Sequence, residues 1–203
     1  MPPEAPIAAV VLAAGASRRF GEANKLLVPI DGRPLISRTV DVLREGGVED
    51  IVVVTGWNRG AIEAALQGKH VRCIHNAAWE RGMGASIAVG IATVGPEASA
   101  SFVLPGDMAF LTPASVRLLI DVSRKGDAAS IVVPTTPEGA QRNPVLWPRR
   151  HFDALRILGG DAGAKSLLEN WANECRMVAI DDGELADIDT VAELVAARAH
   201  FER

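Results

Sequence analysis

The sequence predicts a doubly wound α/β fold, in which a mostly parallel sheet carries helices on both of its faces. Segments typical of strands and of helices alternate along the chain almost from its first residue. Several strand-like segments, such as Ile7–Ala13, are unbroken apolar runs, as expected of strands that are buried on both sides. The 203 residues, of which 48% are hydrophobic and 23% charged, suit a single globular domain over 1–203.

The first half of the chain contains three predicted strands, over 7–13, 50–55 and 71–74. A helix is predicted from Pro34, because apolar residues recur behind it at helical spacing and Gly46 and Gly47 end the pattern. A second, short helix is predicted over 61–66.

The second half continues the alternation. Strands are predicted over 102–104, 130–134, 143–147 and 177–180, and helices over 86–94, 152–158 and 164–171. Thr112 and Pro113 are predicted to cap and begin a further helix, and Thr190 with Glu193 forms a capping box that opens the last one. In a Rossmann-like sheet of this kind, ligands bind beyond the carboxyl ends of the strands.

Charge and composition exclude several classes of protein. A net charge of −4 and a pI of about 5.6 argue against a protein that binds nucleic acid through bulk positive charge. Cys73 and Cys175 are too few for a disulfide scaffold and lack zinc-site spacing, so we expect two ordinary thiols in a reducing compartment. We find no secretion signal and no run of the roughly 18 apolar residues that a membrane helix needs, so we expect a cytoplasmic protein with no membrane partner.

The loop after the first predicted strand carries the strongest sign of chemistry. Ala13, Ala14 and Gly15 are small enough for the backbone to approach a ligand closely, and their amides can hold phosphate oxygens. Arg19 and Lys25 add two positive charges. The loop matches neither the Walker phosphate loop nor the glycine fingerprint of dinucleotide-binding proteins, so it predicts a different kind of nucleotide site.

The string LAAGASRRFGEANKLL resembles the signature of the MobA-like nucleotidyltransferases, and more narrowly that of the molybdenum cofactor cytidylyltransferases, the MocA-like members. Guanylyltransferase relatives tend to carry a second glycine where this chain has Ala14, so the resemblance favours CTP over GTP. Further segments over 76–86, 106–108, 142–145, 159–164 and 187–190 resemble family segments in the same order. The resemblance implies a fold of the nucleotide-diphospho-sugar transferase type. The chain departs from the family at Ala109 and Val191, where a proline is usual.

The resemblance also implies roles for individual residues. The implied catalytic residues are Arg19, Lys25 and Asp107, and the implied metal ligands are Asp107 and Asp189. The implied nucleotide-binding residues are Leu12, Ala13, Ala14, Gly15, Ser17, Arg19, Lys25, Asn76, Gly82 and Ser86. The implied acceptor-binding residues are Asn143, Gly160, Asp161 and Gly163.

Simpler roles remain open for some of these side chains. Asp187 competes with Asp189 as a metal ligand, Asn76 suits a turn, and Ser86 suits the cap of the helix that it opens. Arg18 is expected to be a surface charge. Of the four tryptophans, Trp147 is the one considered for stacking on a ligand, because it lies close to the acceptor segment.

The expected activity is the transfer of CMP from CTP to the phosphate of molybdopterin, with Mg²⁺ as the cofactor and pyrophosphate as the leaving group. The expected recipient of the product is a molybdenum hydroxylase. A phosphate acceptor is largely dianionic at neutral pH and needs no general base, which agrees with the lack of a serine–histidine or cysteine–histidine pattern. The alternatives are a transferase that uses GTP or another phosphorylated small molecule, a non-catalytic carrier of the cofactor or nucleotide, and a dehydrogenase.

Overall fold

The computed structural model describes residues 5–17, 20, 23–125, 130–161 and 163–201. The strands within these residues are β1 (Ile7–Ala13), β2 (Pro29–Ile30), β3 (Arg33–Pro34), β4 (Asp50–Thr55), β5 (Arg72–His75), β6 (Ala100–Pro105), β7 (Ile131–Thr135), β8 (Val145–Pro148) and β9 (Cys175–Ala179). The α-helices are α1 (Leu35–Glu45), α2 (Arg59–Ala65), α3 (Met83–Thr93), α4 (Pro113–Lys125), α5 (Phe152–Arg156) and α6 (Val191–Phe201).

Seven strands form one sheet in the order β5-β4-β1-β6-β8-β7-β9. The pairs β1–β4, β1–β6, β4–β5 and β7–β9 are parallel, whereas β8 runs antiparallel to both β6 and β7. Strands β2 and β3 form a separate two-stranded hairpin. The expectation of a mostly parallel sheet is therefore confirmed.

The strand β1 is buried on both faces because its side chains alternate between two apolar layers. Val11 packs in one layer with residues of α1 and α4, such as Ile36 and Leu119. Val10 packs in the other layer with residues of α3 and α5, including Ile91. Helices thus cover both faces of the sheet, as the apolar runs predicted.

Three local predictions were wrong or incomplete. The helix expected over 86–94 begins at Met83, so Ser86 is not its cap; the buried Ser86 hydroxyl instead accepts a hydrogen bond from Asn76 Nδ2 at 3.0 Å. The segment over 164–171 forms a 3₁₀ helix, Ala164–Glu174, with Trp171 outside helical geometry. The hairpin of β2 and β3 was not predicted, because two-residue strands leave no periodic pattern in the sequence.

Both predicted helix caps are confirmed. Thr112 Oγ1 accepts a hydrogen bond from Ser115 N at 3.2 Å, ahead of α4. Thr190 and Glu193 bond reciprocally at the start of α6, with distances of 2.8 and 3.2 Å. Both cysteines are free thiols, and no helix within the described ranges has the length and apolar character to cross a membrane.

Candidate functional site

A cleft of about 870 Å³ opens where β1 and β6 end side by side. The loop over 14–17 leaves β1, and the turn containing Gly106 and Asp107 leaves β6. The beginning of α3, the residues Asp161 and Gly163 to Lys165, and the late turn over 187–189 form further parts of the walls. The cleft therefore lies at the edge of the sheet at which a doubly wound fold binds its ligands.

The loop after β1 presents Lys25 to the cleft. Ser17 adopts a left-handed backbone, with φ of 49°, and its hydroxyl accepts a hydrogen bond from Lys25 N at 3.3 Å. Asn24 Oδ1 accepts from Leu26 N at 3.1 Å and so caps the 3₁₀ turn Lys25–Leu27. These two side-chain contacts fix the backbone from which the lysine side chain projects.

The Lys25 ammonium binds two separate loops at once. Its Nζ forms an ion pair with Asp107 Oδ2 and lies 3.0 Å from Asp189 Oδ1. It also donates to the Ile188 carbonyl at 2.9 Å. Lys25, Asp107 and Asp189, which are distant in the sequence, therefore meet in one cleft.

The two charged partners affect each other's protonation. Burial raises the pKa of the Asp107 carboxyl above its usual range, and the adjacent Lys25 charge opposes this shift only in part. Burial alone would lower the pKa of Lys25, but attraction and hydrogen bonds to Asp107 and Asp189 outweigh it, so its pKa is raised. The shift at Lys25 keeps its ammonium charged at neutral pH.

The turn that carries Asp107 is held by packing where the family usually has a proline. Gly106 N donates to the Leu12 carbonyl at 3.0 Å, and a side chain at Gly106 would meet Ile36 Cδ1 at 2.7 Å. Ala109 is fully buried, and its carbonyl accepts from Arg38 Nε at 2.8 Å. The turn is thus fixed on both sides of the carboxylate.

Asp107 and Asp189 fit the needs of a magnesium-like cation. Asp107 lines the cleft, and its Oδ1 is a buried oxygen acceptor that has no hydrogen-bond partner in the structure. Magnesium commonly takes one or two carboxylates and completes its shell with water and substrate phosphates. Among the described residues, no cluster of three or more histidine, cysteine, aspartate or glutamate side chains could hold a metal ion.

Two backbone segments meet at one side of the cleft. Gly84 N, in the first turn of α3, donates to the Gly160 carbonyl at 2.9 Å. A Cβ atom on Gly84 would lie 2.7 Å from the Gly159 carbonyl oxygen. Gly82, with φ of 103°, packs directly on Gly160. This seam of four glycines joins the predicted nucleotide and acceptor segments without an intervening side chain.

Most predicted site residues line the cleft: Leu12, Ala14, Gly15, Ser17, Lys25, Gly82, Ser86, Asp107, Asn143, Asp161, Gly163 and Asp189. Ala13 is instead the last residue of β1, paired with Thr55, and Asn76 is buried behind the cleft wall. Gly160 contributes the backbone contact just described. The predicted catalytic residue Arg19, like Arg18, lies outside the described residues.

The structure corrects the expectation for Trp147, bears out the placement of Trp79 in the segment near the nucleotide, and adds Lys165 to the cleft. Trp147 was considered for stacking, but it is fully buried on β8 and cannot touch a ligand, whereas the half-buried Trp79 lines the cleft. Lys165 also lines it, on the segment that follows Gly163. Lys165 could have been predicted as a cleft residue from the sequence, because it directly follows the segment over 159–164 that was expected to bind the acceptor.

The chain was compared with known families and proteins. The model of the MobA-like NTP transferase domain matches residues 9–176. Nicotine blue oxidoreductase of Paenarthrobacter nicotinovorans is 28% identical over 194 residues, which cover 93% of this chain and 94% of that protein. The chain also spans about a third of the bifunctional protein GlmU of Sorangium cellulosum, 35% of its length at 35% identity.

Solved structures agree with the family match. The chain is similar to Rv0371c from Mycobacterium tuberculosis H37Rv, with a TM-score of 0.84, 29% identity and coverage of 97% and 100% of the two chains. A structure of Rv0371c in complex with manganese gives a TM-score of 0.76 at 28% identity, covering 96% and 98%. A nucleotidyl transferase from Methanothermobacter thermautotroptrophicus gives 0.83 at 26% identity, with 98% of each chain covered. The fold, the meeting of Lys25 with Asp107 and the family model agree: the chain belongs to the family of the MobA-like NTP transferase domain.

Proposed function

We propose that the protein transfers CMP from CTP to the terminal phosphate of molybdopterin and releases pyrophosphate. The observation that carries the proposal is the meeting of Lys25 and Asp107 in the cleft behind the loop that follows β1. This arrangement places a cation, a buried carboxylate and exposed small-residue backbone around a space large enough for a nucleotide. The recipient of the product would be a molybdenum hydroxylase.

The reaction forms one bond and breaks one. An oxygen of the acceptor phosphate attacks the α-phosphorus of the nucleotide, and the bond between the α-phosphorus and its bridging oxygen to the β-phosphate breaks. The electron pair leaves with pyrophosphate, and no proton must be removed from a dianionic acceptor. Lys25 binds the nucleotide phosphates and counters their charge, while the loop amides orient them.

A divalent cation would be held by Asp107 and Asp189, and it would neutralise charge on the phosphates and on departing pyrophosphate. The relative solved with manganese supports a divalent ion at this fold. Magnesium is our choice among such ions, because two carboxylates with the substrate phosphates suit its preference for oxygen ligands.

The preference for CTP rests on Ala14. Ala14 is buried, with 5% of its surface exposed, and its carbonyl accepts from Trp57 N at 3.1 Å. The methyl group of Ala14 therefore occupies the wall of the cleft in a fixed position. We infer that this methyl group narrows the space for the base, so that the pyrimidine of CTP fits better than the larger purine of GTP.

The test is pyrophosphate release by the purified protein with molybdopterin and each of CTP, GTP, ATP and UTP, with and without Mg²⁺. We expect release that requires both molybdopterin and the metal and is fastest with CTP. Pyrophosphate release with GTP but not with CTP would assign another nucleotide to the same site. Release with a different phosphorylated acceptor but not with molybdopterin would assign another acceptor. Nucleotide binding without any release would favour a carrier over an enzyme.

A second candidate is an oxidoreductase, favoured by similarity over nearly the whole chain to nicotine blue oxidoreductase. The sequence lacks the glycine fingerprint of dinucleotide-binding proteins after β1, which weighs against this candidate. An assay of NADH and NADPH oxidation with nicotine blue as the acceptor separates the two candidates. Turnover of a nicotinamide without pyrophosphate release would replace our proposal.

A further inference from the structure

A second cavity, of about 360 Å³, adjoins the nucleotide cleft. The two share four lining residues and so adjoin as one recess: Pro105, Asn143, Lys165 and Asp187. The loop that follows β1 does not border the second cavity, whereas Arg142 does. The second cavity therefore lies on the acceptor side of the recess, away from the loop proposed to bind the nucleotide.

Two cationic side chains converge on one carbonyl at the junction of these cavities. Lys165 Nζ donates to the Gln141 carbonyl at 3.3 Å, and Arg142 Nη1 donates to the same oxygen at 3.4 Å. Placing two positive heads on one neutral acceptor costs electrostatic energy unless an anion lies nearby. Burial, then the charge of Arg142, lowers the pKa of Lys165, and Asp187 opposes that shift.

The carboxylates of the second cavity leave Lys165 without an ion pair. Asp182 Oδ1 pairs with Arg142 Nε at 3.2 Å, and Glu193 is bonded to the backbone at the start of α6. Asp187 is exposed and acts on Lys165 only through space. Within the part of the chain that the structure describes, no carboxylate oxygen lies within 4.0 Å of the half-buried Lys165 ammonium.

We propose that Lys165, with Arg142 beside it, binds the phosphate of the acceptor molecule. This inference rests on the proposed function, because it takes the acceptor to be a phosphate monoester that enters the second cavity. Arg142 already pairs with Asp182, so the phosphate dianion supplies the negative charge that Lys165 lacks. Asn143, at the shared edge, can donate a hydrogen bond to it. Lys165 thereby helps select a phosphorylated acceptor over its dephosphorylated form.

The test is steady-state kinetics of the full chain with CTP, Mg²⁺ and molybdopterin, comparing Lys165→Gln and Lys165→Arg with the parent. For Lys165→Gln we expect the KM for molybdopterin to rise about tenfold or more, with the KM for CTP unchanged within about twofold. Lys165→Arg keeps the charge and should recover most of the loss. The matched control is Lys125→Gln, since Lys125 is an exposed lysine on α4 and should leave both constants unchanged.

A binding readout separates failure of this inference from failure of the proposed function. Inorganic phosphate, titrated by calorimetry, should bind the parent and Lys125→Gln about tenfold more tightly than Lys165→Gln. Equal phosphate affinities, or a KM for CTP that rises as much as that for molybdopterin, would overturn the role of Lys165. Phosphate binding that depends on Lys165 in a protein without transferase activity would keep the anion site and overturn the proposed function.

Discussion

Lys25 forms an ion pair with Asp107 across the gap between the two loops that leave the neighbouring parallel strands β1 and β6. Asp107 is only 2% exposed, and one of its oxygens has no partner, so this single ammonium carries much of the compensation for a buried charge. Substitutions at Lys25 and Asp107 can therefore distinguish the contribution of this pair to the stability of the fold from its contribution to turnover.

Replacement of Asp107 by asparagine should abolish turnover and leave the fold intact. The change removes the charge that we propose binds the metal, at the end of a strand, but no core volume, so we expect kcat to fall by about 100-fold or more. The melting temperature without ligand should stay within about 3 °C of the parent, because Lys25 keeps its bonds to Asp189 and Ile188. Pyrophosphate release and circular dichroism measure the two effects, and Asp121→Asn on the exposed face of α4 is the control.

Turnover near the parent rate in Asp107→Asn would mean that the cation is held elsewhere. A protein that unfolds would instead assign Asp107 a structural role.

Replacement of Lys25 by methionine should make stability depend on pH in a defined direction. Without the ammonium, the already raised pKa of Asp107 rises further, so the native state holds a proton that the unfolded state loses. Relative to the parent, the variant should lose roughly 2 kcal/mol of stability at about pH 8 and recover it as the pH falls through the raised pKa of Asp107. Urea unfolding over this pH range measures the effect.

The double variant Lys25→Met, Asp107→Asn is the control for that experiment. It lacks the buried charge, so it should recover stability at the higher pH and lose the pH dependence. An equal loss in the single and double variants would show that the lysine stem, and not its charge, stabilises the loop.

Replacement of Ala14 by glycine should relax the preference for CTP over GTP. The substitution removes the methyl group from a wall of the cleft without moving the carbonyl that Trp57 N holds. We expect the ratio of kcat/KM for CTP to that for GTP to fall by about tenfold. Ala16→Gly, in the same loop, should change the ratio little, and an unchanged ratio in Ala14→Gly would remove the base-reading role from Ala14.

The buried His151 should make the protein less stable in mild acid. Burial, with the neighbouring Arg150, lowers the pKa of His151 below its usual 6.5, and Glu174 opposes the shift only in part. The unfolded chain therefore takes up a proton that the native state does not, and the free energy of unfolding should fall as the pH drops below about 6.5. In urea unfolding, His151→Gln should remove this decrease of the unfolding free energy with falling pH. His70→Gln, at an exposed histidine, should keep it.

The sheet and the order of its elements along the chain were predictable, because a buried strand appears in the sequence as a local run of apolar residues. Val10 and Val11 face opposite apolar layers, so the whole run Ile7–Ala13 had to be apolar. The meeting of Lys25 with Asp107 followed from the rule that adjacent parallel strands end at the same edge.

Other features of the site depend on contacts that no local pattern encodes. Trp147 lies near the acceptor segment in sequence, but β8 is inserted antiparallel between β6 and β7, and this burial removes Trp147 from the ligand. The approach of Lys165 to Arg142 also depends on the tertiary fold, because Gln141 accepts hydrogen bonds from two separate segments. Neither segment alone signals that meeting.

The seam of Gly82, Gly84, Gly159 and Gly160 limits which substitutions this side of the cleft can accept. Main chain meets main chain there, so a mutation that adds even a methyl group to Gly84 pushes the two segments apart. New substrate specificities must then arise from other residues that line the cleft, such as Met83 and Lys165. A changed side chain there alters which ligand binds without moving the backbone of the seam.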